Sequence, residues 1–114
     1  MAILNTFGWI HSAFPLVDNT EVLFYAVPAG TQINGVIRVV NSDVVTRGFS
    51  VYHCPAGWGN NPAAQHHAVC YLGRVEPGEP KEFSIHAGPL DSIRVFVGTA
   101  MTTFHLSGQK KVVS

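Results

Sequence analysis

The chain has 114 residues, 46% hydrophobic and 12% charged, with seven basic side chains against seven acidic ones. That length sets one domain with its own core, and the charge fraction is about half that of ordinary soluble domains, so either the surface is neutral and polar or part of it is covered by another chain. No basic cluster exceeds Lys110-Lys111 and no apolar run nears the ~20 residues of a membrane span, which argues against nucleic-acid and membrane partners.

Residues 1–20 are apolar without a clear period, carrying Ile3, Leu4, Phe7, Trp9, Ile10 and Phe14. With no basic n-region and with His11 inside the apolar stretch, they make a poor export signal. They read either as an edge strand plus a loop closing a sandwich, or as an arm that adds a strand to a neighbouring subunit. From residue 21 the strand signals are dense. Glu21–Val27 sets Val22, Phe24 and Ala26 on one face, and Pro28-Ala29-Gly30 turns the chain. Gln32–Val40 sets Ile33, Ile37 and Val39 together. Within it Asn34-Gly35 is either a hairpin turn or a bulge, and the short arm before it favours the bulge.

Phe49–Cys54 puts Phe49 and Val51 on one side and Tyr52 on the other; Ala68–Val75 runs into the turn Glu76-Pro77-Gly78-Glu79. Lys81–His86 alternates Phe83 and Ile85 inward against Glu82, Ser84 and His86 outward. Ser92–Gly98 aligns Ile93, Val95 and Val97, and Thr102–Ser107 aligns Thr102, Phe104 and Leu106. Gly or Pro interrupts every candidate helix. About seven strands at regular spacing predict an all-β fold: a single antiparallel β-sandwich or jelly-roll-like domain over 21–114, with 1–20 as N-terminal arm or edge segment.

Thirteen residues, Pro55–His67, carry no period, and loops of that length are often functional. His53, Cys54, His66, His67 and Cys70 flank this loop. Their spacing is wrong for a zinc knuckle, and adjacent His53 and Cys54 would face opposite ways on a strand. A Cys54–Cys70 disulfide, a shared metal on a symmetry axis and plain surface histidines all stay open, while cytoplasmic synthesis favours free thiols. No resident metal or cofactor is called for. There is no nucleophile elbow, no local Cys–His signature, no phosphate loop and no paired carboxylates, so the chain does not read as an enzyme. Trp58 with Tyr52, Tyr71 and Trp9 would suit either a subunit interface or a sugar-stacking platform.

Tyr25-Ala26-Val27-Pro28-Ala29-Gly30-Thr31, then Gly35-Val36-Ile37-Arg38-Val39-Val40-Asn41, then Ala87-Gly88-Pro89-Leu90-Asp91-Ser92-Ile93-Arg94-Val95, resembles small β-sandwich virion proteins of tailed bacteriophages. The likeness spans about Glu21 to Leu106, and Pro89-Leu90 stands as an insertion relative to the usual spacing. It implies a structural part of a phage particle assembled in the host cytoplasm. Within that class it implies a capsid decoration or cement protein, a homotrimer on the outer shell that clamps the major capsid protein. A tail or head–tail accessory part and a carbohydrate-binding module are the alternatives. The expected contacts are Ile3, Leu4, Phe7, Trp9 and Ile10 in the N-terminal segment, and Trp58, His66 and His67 in the long loop.

Overall fold

The computed structural model describes residues 3–13, 20–58, 67–98 and 102–113; within 3–13 the one side chain described is that of Ile10, and for Val113 the backbone alone is described. Eight strands are formed among them: β1 (Ile3–Ala13), β2 (Thr20–Ala26), β3 (Thr31–Asn41), β4 (Arg47–Cys54), β5 (Ala68–Val75), β6 (Lys81–Ala87), β7 (Ser92–Val97) and β8 (Thr102–Val113). They pair into two four-stranded antiparallel sheets, one ordered β1-β8-β3-β6 and the other β2-β7-β4-β5. Chain neighbours mostly lie in opposite sheets, so the chain crosses the sandwich at most corners. Eight strands in this order form a jelly roll.

The core lies between the sheets and is built by the β-branched and aromatic alternation. Ile33, Ile37 and Val39 of β3 face Ile93, Val95 and Val97 of β7, all fully buried, and Phe104 and Leu106 of β8 close the layer. Phe104 makes a tilted ring contact with Phe24 and an edge contact with Phe49, at centroid distances of 6.1 and 6.4 Å, the geometry aromatic pairs prefer.

Three elements depart from the expectation. β3 runs through Asn34-Gly35 in unbroken register with both β6 and β8, so that pair is neither hairpin nor bulge. Gly35 is instead where β8 comes close: a Cβ there would lie 2.2 Å from the Ser107 carbonyl oxygen. Its partner Gly108, at φ +139°, pairs on its other side with Gly8, so three glycines form one row across β1, β8 and β3. β8 continues past Ser107 to Val113. In β2 the register shifts between Leu23 and Tyr25, which leaves Phe24 buried, turns Tyr25 onto the core and puts Ala26 in solvent, contrary to the regular alternation.

The register also sorts the connections between the two ends of the sandwich. The β3–β4, β5–β6 and β7–β8 connections share one end. The β2–β3, β4–β5 and β6–β7 connections share the other, together with the start of β1 and the end of β8.

Candidate functional site

The predicted contact residues fall into two groups. Ile3, Leu4, Phe7, Trp9 and Ile10 all lie on β1, an edge strand of its own chain's sheet, paired with β8 from Ile3↔Val113 to Ala13↔Phe104. Ile10 packs against the core; the side chains of Ile3, Leu4, Phe7 and Trp9 are outside the described residues, as is His66. Trp58 and His67 meet across the long loop, ring to ring, with centroids 4.4 Å apart and planes at 87°. The four aromatics weighed as a sugar platform are spread out. Trp9 is in one sheet, Tyr52 is buried on β4 in the other, Tyr71 is exposed on β5, and Trp58 is engaged by His67.

At the start of that loop the Asp91 carboxylate ties the β4–β5 and β6–β7 connections together. Asp91 Oδ2 bonds His53 Nε2 at 2.7 Å and accepts the Gly88 N–H at 2.9 Å, while Oδ1 accepts the Ala56 N–H at 3.0 Å. The Asp91 carbonyl accepts from Val27 N–H, and the Leu90 N–H donates to the Val27 carbonyl. Pro89-Leu90 thus forms a turn that holds Leu90 in solvent at φ +66°. Cys54 and Cys70 are both free thiols, and burial pushes each up from its ordinary range. Among the described residues no three of His, Cys, Asp and Glu are grouped as metal ligands.

The opposite end carries features the periodicity did not flag. Asn41 is buried, and its amide donates to the Val45 and Val75 carbonyls at 2.7 and 3.0 Å while its oxygen accepts the Asp43 N–H at 2.8 Å. Asp43 in turn accepts the Val44 N–H at 2.7 Å and the Arg47 Nε–H at 2.7 Å, with a second, shorter bond from the same guanidinium. The Val44 N–H, then Arg47, hold the Asp43 carboxyl below its ordinary value. This bracing holds Val44 out at 88% exposure, with Val45 beside it. An aliphatic side chain held out in this way gains free energy when a partner buries it.

The neighbouring edge strand does something similar. Against β4, Phe49 pairs with Gly73 but Val51 pairs with Cys70, so Tyr71 and Leu72 together oppose Ser50 and β5 gains one residue; a second shift before Tyr52↔Ala68 frees Val69. Leu72 sits at φ +53°, donates its N–H to Ser50 Oγ at 3.0 Å and is 70% exposed, with Tyr71 and Val69 exposed beside it. Bulges of this kind stop an edge from pairing indefinitely with another sheet, yet here they carry apolar side chains outward. The apolar pair inside Ser42-Asp43-Val44-Val45-Thr46 is a sequence signal that could have pointed to this tip, though the periodicity passes over it; Leu72 gives none.

No protein-family model and no curated protein matches the chain. Among solved structures, a chain in the structure of infectious bursal disease virus Gx strain is similar at 12% identity and a TM-score of 0.49. The match covers 97% of the present chain and 32% of that one, so this chain spans about a third of its length. A likeness so distant says nothing of function, because one fold hosts many functions.

Proposed function

We propose that the protein is a bacteriophage virion structural protein, and more narrowly a capsid decoration, or cement, protein that binds as a homotrimer on the outer shell and stabilises the lattice of the major capsid protein. The observation that carries this reading is the braced β3–β4 loop. Its polar groups are used internally by Asn41, Asp43 and Arg47, and its product is a fixed apolar tip, Val44, at 88% exposure. Catalysis gains nothing from such a tip; adhesion does. The low charge fraction of 12% and the outward Leu72, Tyr71 and Val69 on the bulged edge add to the same surface chemistry. The resemblance of the Tyr25–Asn41 and Ala87–Val95 stretches to small phage virion proteins supplies the class of particle.

The mechanism is cohesion. A protein that binds the assembled lattice and not its free subunits stabilises the lattice by its binding free energy, and three linked copies raise the effective concentration at each further contact. In this account the jelly roll is the rigid spacer and the apolar side chains at its end and edge are the anchors.

The test is co-sedimentation with expanded capsids alongside native mass. Wild type is expected to be trimeric and to pellet with capsids. Val44→Asp should keep the fold and weaken binding by about tenfold to a hundredfold, which corresponds to the roughly 1.5–3 kcal/mol of burying one aliphatic side chain. A variant that binds as wild type removes the loop from the contact, and a protein that never pellets with capsids removes the cement reading.

A further inference from the structure

On the outer face of the β2-β7-β4-β5 sheet, at the end that carries Val44, lies a pocket of about 440 Å³. Its place follows from the register. Phe49 and Val97 point into the core, so their neighbours Gly48, Ser50, Phe96 and Gly98 lie on the other side, and Gly48 pairs with Arg74. Phe96 and Leu72 form apolar walls, and Arg47 and Arg74 stand at the rim.

The floor is made by two glycines that the backbone does not require. Neither has a positive φ. A Cβ on Gly48 would find its nearest neighbour, the Gly73 carbonyl oxygen, at 3.8 Å, and one on Gly98 would meet the Gly48 carbonyl oxygen at 3.5 Å, both ordinary contacts. Glycine is costly in a strand, through its lost backbone freedom and the missing side chain. At Gly35 a close strand approach accounts for the residue; at Gly48 and Gly98 what glycine leaves is open volume over Ser50. The size falls in the range of sites that hold ligands or side chains.

The charge says what would fit. Arg47 is already paired with Asp43 through two bonds to one oxygen, while Arg74 is exposed and has no ion-pair partner among the described residues. Two guanidinium groups and one carboxylate leave about one positive charge at the rim. That balance suits a single carboxylate held by arginine, and it is too little for a polyanion such as nucleic acid, which needs many phosphate contacts.

We propose that this pocket docks a segment of a protein partner that presents a carboxylate beside an apolar side chain, the carboxylate meeting Arg74 and the apolar group lying between Phe96 and Leu72. The proposal rests on the reading of the chain as a subunit that binds other virion proteins, and it names the chemistry of one contact.

The test uses the full chain, isotopically labelled, titrated with the capped peptide acetyl-Leu-Glu-amide and with its Gln counterpart while the amide signals of Gly48 and Gly98 are followed. The expected result is saturable shifts of both glycines with the Glu peptide, at least about tenfold weaker binding of the Gln peptide, and loss of the effect in Arg74→Glu and in Gly48→Val. Equal binding of the two peptides, saturation elsewhere, or no saturation would overturn the proposal. Shifts of the same glycines that depend on protein concentration without peptide would overturn it in favour of a second copy of this chain as the occupant. If Arg74→Glu still pellets with capsids while the peptide result holds, the pocket serves another partner and the cement reading stands; if the wild type binds peptide but never capsids, the cement reading falls alone.

Discussion

Replacing Gly35 with alanine puts a methyl group into the close approach of β3 and β8. The added carbon would lie 2.2 Å from the Ser107 carbonyl oxygen. A carbon and a carbonyl oxygen in adjacent strands come no nearer than about 3.3 Å, so β3 and β8 must part locally by about 1 Å. Ladder hydrogen bonds near 2.9 Å do not survive that shift, and about two of them flank the site. At roughly 1–3 kcal/mol for each buried group left unpaired, the expected loss is about 2–6 kcal/mol, a large part of the roughly 5–15 kcal/mol that holds a domain together. Equilibrium unfolding in urea reads this as a lowered midpoint at unchanged slope. Gly48→Ala is the internal control, because its added carbon meets nothing nearer than 3.8 Å, and it should stay within about 0.5 kcal/mol of wild type. A Gly35→Ala protein that loses less than about 1 kcal/mol would refute the argument, since β3 and β8 would then not be held at that distance.

Three further outcomes follow from polar groups. Thr102 is fully buried and its hydroxyl has no partner among the described residues; Thr102→Val should raise stability by about 1 kcal/mol in the same urea assay, and a loss would mean the hydroxyl is paired. Asp91→Ala frees the Gly88 and Ala56 amides and the His53 ring at once, so it should cost about 1–3 kcal/mol and speed amide exchange at Gly88; unchanged exchange would show that the two connections hold without it. The Asp43 carboxyl lies below its ordinary value of 3.8 because the folded loop favours its charged form. Its contribution is therefore complete above that value and is lost as pH falls through the lowered one. The Val44 amide signal should titrate with a midpoint below 3.8, and a midpoint at or above it would contradict the bracing of the loop.

The sheets were legible where one face is buried along the whole strand. Ile33, Ile37 and Val39, or Ile93, Val95 and Val97, announce a strand because alternate residues meet the same core. β1 was legible only as one of two readings, an edge strand or an arm, because its period is broken by a register shift between Trp9 and His11 and by Gly8 at φ +115°. The end of β8, Gly108 to Val113, reads as a polar tail with a final valine pair. Its strand character comes from pairing with β1 and β3, which are far away in sequence. Ala26 was misplaced for the same kind of reason, an extra residue at Phe24.

The contact surface was legible only in part. Trp58 and His67 could be picked out as large rings in an aperiodic loop, and they do meet. Val44, Val45 and Leu72 could not be ranked, because exposure of an apolar side chain depends on bracing and bulges that no local pattern encodes. The pocket depends on Gly48 and Gly98 lying side by side from different strands, a relation that exists only after β4 and β7 pair.

The proposed role is that of a shell component of a virion. It is tested most directly by counting its copies in purified particles by quantitative mass spectrometry, relative to the major capsid protein. The account predicts a copy number of the same order as the major capsid protein. A few copies per particle would move it to the tail or the head–tail junction, and its absence from washed particles would contradict a virion role.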